Sequence, residues 1–137
     1  MSKKLKVGLI GYGMAGQVFH APIINSIADL AIAAIRETKA PNIALAEQRY
    51  PAAKIVSTSD EILSDPNIDL VVIATPNQAH FSIAKQALLN GKNVIVDKPF
   101  TITSKEANEL DILSKEQKKL LKNPITEKIQ LPISFPF

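Results

Sequence analysis

Short β-branched runs alternate with helix-compatible stretches along most of this chain. Leu5–Ile10, Leu30–Ile35 and Lys54–Val56 read as strands, and Asn93–Asp97 as another. Leu70–Ala74 is a continuous apolar run, the pattern of a strand covered on both faces. Between them, helices are predicted over Met14–Ser26, where Pro22 shortens or kinks the helix, over Ile43–Tyr50, closed by Pro51, and over His80–Leu89, stopped by Asn90-Gly91. Two capping boxes open further helices. Thr58-Ser59-Asp60-Glu61 starts a short one that ends at Asp65-Pro66-Asn67. Thr103-Ser104-Lys105-Glu106 starts a longer one with apolar Ala107, Leu110, Leu113, Leu120 and Leu121.

Strands alternating with helices imply parallel pairing and right-handed crossovers. The expected fold class is therefore α/β, a doubly wound parallel sheet forming a single domain over residues 1–121. Ligands of such sheets sit beyond the carboxyl ends of the strands. The segments of interest are thus Gly11–Gly16, Arg36–Lys39, Thr75–His80 and Asp97–Pro99. After Leu121 the pattern lapses. Pro124, Pro132 and Pro136 fall within fifteen residues, and proline withholds backbone donors, so 122–137 reads as a Pro-rich tail, poorly ordered or edge-associated.

Composition narrows the chemistry. A length of 137 residues suits one domain. There is no cysteine, which excludes disulfides, thiolate catalysis and zinc–thiolate sites, and no metal is expected. Trp is absent and aromatics are few, so the core must be mainly aliphatic. The net charge of +3 comes from lysines at the N-terminus (Lys3, Lys4, Lys6) and around 115–122, without interleaved aromatics; this is a solvated surface rather than one for nucleic acid. No apolar run approaches the ~18 residues of a membrane span, and Leu5–Ile10 is too short for a secretory signal. A cytoplasmic protein without membrane or nucleic-acid partners is expected.

The most specific motif lies just past the first strand: Gly11-Tyr12-Gly13-Met14-Ala15-Gly16, or G-x-G-x-x-G, between a strand and a helix, with acidic Glu37 about 20 residues on. Gly11 permits the tight turn, Gly13 lets backbone approach a pyrophosphate, and Gly16 lets the helix pack closely. A helix N-terminus then offers free N–H groups to phosphate. The pattern predicts a Rossmann-type dinucleotide site; its plain alternative is a glycine-rich turn used only for packing. At the end of the second strand, Glu37 would accept hydrogen bonds from an adenosine ribose, which suits NAD. Arg36, Thr38 and Lys39 would instead hold a 2′-phosphate, which suits NADP. The reading leans to NADP; a merely solvated Arg36–Glu37 pair is the third option.

Three motifs in order, the glycine motif, Thr75-Pro76-Asn77-Gln78-Ala79-His80 and Asp97-Lys98-Pro99-Phe100, resemble the N-terminal domain of the Gfo/Idh/MocA oxidoreductases over about Lys4–Leu121. The resemblance implies NAD(P)-dependent hydride transfer at a hydroxyl or ketone of a sugar, cyclitol or related polyol. It also implies a second domain that supplies most of the substrate pocket and the usual general acid/base. The family's E-K-P lysine, implicated in catalysis, corresponds to Lys98; an ammonium there would hydrogen-bond the reacting oxygen. Asp97 stands where the family has Glu, with shorter reach. Thr75, Pro76, Asn77 and His80 match the segment that skirts the ribose and nicotinamide. Locally, Asn77 also reads as an N-cap with His80 in the first helical turn. Met14, Ala15, Tyr12 and Pro99 complete the expected cofactor-binding set. Neither His20 nor His80 fits the missing acid/base.

Family members carry another strand after the long helix, and Lys122-Asn123-Pro124 does not read like it. The chain is expected to lack the substrate domain, as a truncated or frameshifted product, a natural short form, or a fragment cut at the domain boundary. It would bind a dinucleotide, meet a polyol only if a second domain were supplied, and self-associate through the apolar surface left uncovered. A non-catalytic dinucleotide sensor is the competing function, and a scaffold without cofactor is a weaker third.

Overall fold

In the computed structural model, residues 4–13, 16–75, 80–96, 104–119 and 121–122 are described. Six parallel strands, β1 (Leu5–Ile10), β2 (Leu30–Arg36), β3 (Lys54–Val56), β4 (Leu70–Ile73), β5 (Asn93–Val96) and β6 (Leu121–Lys122), form one sheet in the order β3-β2-β1-β4-β5-β6. The order reverses between β1 and β4, and a doubly wound sheet opens its ligand crevice at that point. The expected fold class is the observed one.

Both faces of the sheet are covered, which is why its strands read as unbroken apolar runs. Alternate side chains feed two cores. Val7, Leu9, Ile35, Leu70, Val72 and Ile95 pack with Ala21 and Ile24 of α1 (Ala21–Ser26) and Ala46 of α2 (Ala40–Arg49). Ile10, Ala34, Val71, Ile73, Val94 and Val96 face the other way. They meet Ile62 and Leu63 of α3 (Asp60–Leu63), Ala84, Ala87 and Leu88 of α4 (His80–Leu89), and Leu110 of α5 (Ser104–Gln117).

The helices depart from expectation where local chemistry competes. The first begins as a wide π turn over Gly16–His20 before α1. Pro22 supplies no N–H to the preceding turn and crowds it, and the widened turn relieves that crowding. Helix α2 starts three residues before the predicted Ile43, because Pro41 suits a first helical turn. In the first capping box only the acidic arm closes: Glu61 accepts from the backbone of Ser57 and Thr58, while Ser59 makes no side-chain cap. Thr103 and Leu120 lie outside the described residues.

The apolar spacing predicts that the longest helix runs through Leu121, with no strand after it. It ends instead at Gln117, because Lys118 takes a left-handed φ of 55° and Lys119 N–H bonds back to the Ser114 carbonyl. Leu121 and Lys122 then pair with Val94 and Ile95 as β6. The rest of the expected tail, 123–137, lies outside the described residues.

Candidate functional site

The glycine turn sits at the crevice between β1 and β4. Gly11 has φ 104°, a backbone state that side-chain-bearing residues rarely adopt. A Cβ on it would also lie 2.9 Å from the Ala74 carbonyl oxygen, so the turn presses directly on the end of β4. The Gly11 N–H donates to the Arg36 carbonyl (3.0 Å), fastening the turn to the end of β2. A Cβ on Gly16 would meet the Gly11 carbonyl oxygen at 2.5 Å, so helix and turn are in backbone contact. Gly13 differs: no described atom lies within 4 Å of the position its Cβ would take. Among the described residues, then, nothing crowds this side of its backbone. Met14 and Ala15 lie outside the described residues.

Tyr12 contributes backbone rather than side chain. Its ring is fully buried in the core under α1 and α2, edge-on to Tyr50 at 6.2 Å, and its hydroxyl finds no partner among the described residues. Its N–H donates to Glu37 Oε1 (3.0 Å), and its carbonyl accepts from Gln17 Nε2 (2.9 Å).

Glu37 is only 7% exposed. Its Oε2 accepts from the N–H groups of Thr38 (2.9 Å) and Lys39 (3.0 Å). Burial alone would raise its pKa. The N–H groups of Lys39, Thr38 and Tyr12, with Asn42, outweigh burial and hold it below the ordinary glutamate value. Asn42 Oδ1 in turn accepts from Gln17 Nε2 (3.0 Å). Sequence reasoning does not single out Gln17 or Asn42. Each is an ordinary helix polar residue there, and only the fold brings them together across 25 positions.

Around this buried knot the cationic side chains face outward. Arg36 is partly exposed, with Nε donating to the Ser57 carbonyl past the end of β3 (3.2 Å), and Thr38 and Lys39 are exposed. Past β4, the His80 ring is fully buried at the start of α4, with Nε2 2.7 Å from the Thr75 carbonyl. If that nitrogen carries the proton, Nδ1 is left as an acceptor. Neither Nδ1 nor Thr75 Oγ1 has a partner among the described residues. Pro76, Asn77, Asp97, Lys98 and Pro99 lie outside the described residues; Lys98 comes two positions after β5 ends at Val96. Among the described residues no cluster of His, Asp or Glu could hold a metal, and no helix is long and apolar enough to cross a membrane.

A parallel sheet in this order, with its glycine turn open at the switch point, defines a dinucleotide-binding Rossmann domain. Residues 5–123 match the family model described as "Oxidoreductase family, NAD-binding Rossmann fold", and the chain belongs to that Gfo/Idh/MocA family. Its cofactor is accordingly a nicotinamide dinucleotide. The chain is 45% identical over 121 residues to the uncharacterized oxidoreductase YdgJ of Escherichia coli, covering 88% of this chain and 34% of that protein. It is 32% identical over 117 residues to the scyllo-inositol 2-dehydrogenase (NADP(+)) IolW of Bacillus subtilis, covering 85% and 32%. The solved structure of the putative oxidoreductase yvaA from Bacillus subtilis superposes with a TM-score of 0.84 at 31% identity, over 90% of this chain and 35% of that one. The chain thus spans about a third of the length of these relatives.

Proposed function

We propose that this chain is the dinucleotide-binding part of an oxidoreductase that interconverts a hydroxyl and a carbonyl on a sugar, cyclitol or related polyol, with NADP preferred to NAD. The observation that carries the reading is the uncrowded backbone at Gly13, set between Gly11 and Gly16, where an added Cβ would clash with backbone. The binding unit, read from sequence as residues 1–121, takes in Lys122 with β6.

In this reading the N–H groups at the start of the first helix and the Gly11–Gly16 turn face the pyrophosphate. The Arg36 guanidinium and the Thr38 and Lys39 side chains surround the adenosine 2′-phosphate. A planar, always charged guanidinium suits that group, and the IolW relative's NADP dependence is consistent with the choice. Thr75, Pro76, Asn77 and His80 border the ribose and nicotinamide from the end of β4, and Asp97 and Pro99 flank the site beyond β5. When bound, the nicotinamide supplies or accepts the hydride. Lys98 is the catalytic residue assigned to the reacting oxygen, where its ammonium donates a hydrogen bond and favours the partly anionic form.

Calorimetric titration of the chain with NADP⁺ and NAD⁺ in parallel tests this. Binding of both, tighter for NADP⁺, is expected. A folded chain that binds neither overturns the reading, and tighter NAD⁺ binding overturns the assignment of Arg36, Thr38 and Lys39.

A further inference from the structure

An acidic residue just past the second strand of such a domain is ordinarily read as the acceptor for the adenosine ribose hydroxyls. The geometry points to a different task here. We propose that Glu37 is a positioning residue, a buried latch that holds the glycine turn in its binding shape, and that it does not read the ribose. The inference rests on the dinucleotide reading above.

Four observations carry it. First, three backbone donors hold the carboxylate, Tyr12 N–H on Oε1 and Thr38 and Lys39 N–H on Oε2, and the neighbouring Asn42 side chain favours its charged form. Oε2 already accepts two N–H groups, so a ribose diol donating to both oxygens would displace one of them and strand a donor in a buried place. Second, the carboxylate is buried rather than presented, while Thr38 and Lys39 beside it are exposed.

Third, the donors come from the ends of two adjacent strands. Tyr12 belongs to the turn after β1, whereas Thr38, Lys39 and Asn42 belong to the segment joining β2 to α2 and to α2 itself. Fourth, the knot closes on itself. Gln17 donates both to Asn42 Oδ1 and to the Tyr12 carbonyl, so both backbone polar groups of Tyr12 are held immediately before Gly13. Gly13 is where no described residue crowds the backbone. A latch on Tyr12 therefore sets where that backbone stands.

The consequence concerns both cofactors alike. Pyrophosphate is common to NAD⁺ and NADP⁺, so loosening the turn weakens both by the same factor. A ribose reader would behave otherwise: its loss would weaken NAD⁺ and spare or strengthen NADP⁺, because a negative charge near the 2′-phosphate is removed.

The test is calorimetric titration of wild type, Glu37→Gln and Asn42→Ala with both nucleotides, with amide hydrogen exchange of Tyr12 and a thermal melt on each. Glu37→Gln keeps the size but replaces one carboxylate oxygen by an NH₂ group, which cannot accept from a backbone N–H. The expected result is a fall of about tenfold in affinity for each nucleotide, with the NAD⁺/NADP⁺ ratio unchanged and faster exchange at Tyr12. Asn42→Ala, which leaves the carboxylate intact, is expected to give a smaller fall in the same equal proportion, and it decides the matter if the Gln variant does not fold. A selective loss of NAD⁺ overturns the proposal in favour of ribose reading. A lower melting temperature with unchanged affinities overturns it in favour of a purely structural role. Wild type that binds neither nucleotide removes the dinucleotide reading itself and the latch with it.

Discussion

Replacing Gly16 by alanine and Gly13 by alanine separates packing from ligand space, because the same added methyl meets opposite surroundings. At Gly16 the new Cβ would stand 2.5 Å from the Gly11 carbonyl oxygen. Ordinary contact for such a pair begins near 3.4 Å, so about 0.9 Å must open between two pieces of backbone. Gly11 cannot retreat: it is bonded to Arg36 and pressed against Ala74. The start of the helix must move instead, straining the Gln17 N–H to Gly13 carbonyl bond (2.9 Å) and the Gln17 hold on Tyr12. Overpacking of this kind costs about 1–3 kcal/mol. Alanine's better helix propensity returns roughly 0.5–1 kcal/mol, so the clash wins by about 1–2 kcal/mol. For a domain of this size that is a fall in Tm of about 3–8 °C. At Gly13 nothing described lies within 4 Å and φ is not left-handed, so stability should change by no more than about 0.5 kcal/mol. The methyl would, however, occupy the space assigned to the pyrophosphate, and affinity for NADP⁺ should fall at least about tenfold. The assay is a thermal melt and a nucleotide titration on both variants. A Gly16→Ala protein as stable as wild type, or a Gly13→Ala protein with unaltered affinity, would refute the reasoning.

Two further predictions concern buried charges far apart in the fold. Lys92, 5% exposed, donates through Nζ to the carbonyls of Asp65 (2.5 Å) and Ile68 (2.9 Å) in the turn before β4. Lys92→Met keeps the apolar stem but strands both acceptors, at about 1–3 kcal/mol, and a urea melt should show the lower midpoint. Burial holds the Lys92 pKa below the ordinary lysine value despite Asp65 and Asp69. The unfolded chain therefore binds more protons between the two values, and the Lys92 contribution to stability rises with pH through that window and is missing from the Met variant. Glu37 has the opposite acid signature. Its folded pKa lies below its unfolded one, so its contribution is complete above the ordinary glutamate value and is lost as pH falls through the lowered value. Glu37→Gln should flatten that part of an acid stability profile, measured by urea melts at a series of pH values.

Much of this protein was legible in local pattern. The continuous run at Leu70 gave a strand covered on both faces, and the start and stop of α4 at His80 and Leu89 could be read from its apolar positions and from Gly91, which takes a left-handed φ of 76°. The family was legible too, because three motifs stand in order: the glycine turn, Thr75–His80 and Asp97–Phe100. Element ends were less legible. Pro22 marked a disturbance in the first helix without giving its π form, and the left-handed Lys118 that ends α5 depends on how that helix joins β6, which periodicity does not encode.

The sequence by itself determined the fold class, the parallel winding and the place of the glycine turn, since each rests on residues close together along the chain whose sterics or burial pattern permit one answer. Only the tertiary structure decided what Glu37 faces. A carboxylate past a strand can point to solvent, to a sugar or inward, and the choice lies with the N–H donors of Tyr12, Thr38 and Lys39. Tyr12 reaches Glu37, and Gln17 reaches Asn42, each across 25 positions, because β1 pairs with β2. Their assembly is a property of the packed sheet, and no spacing in the sequence records it.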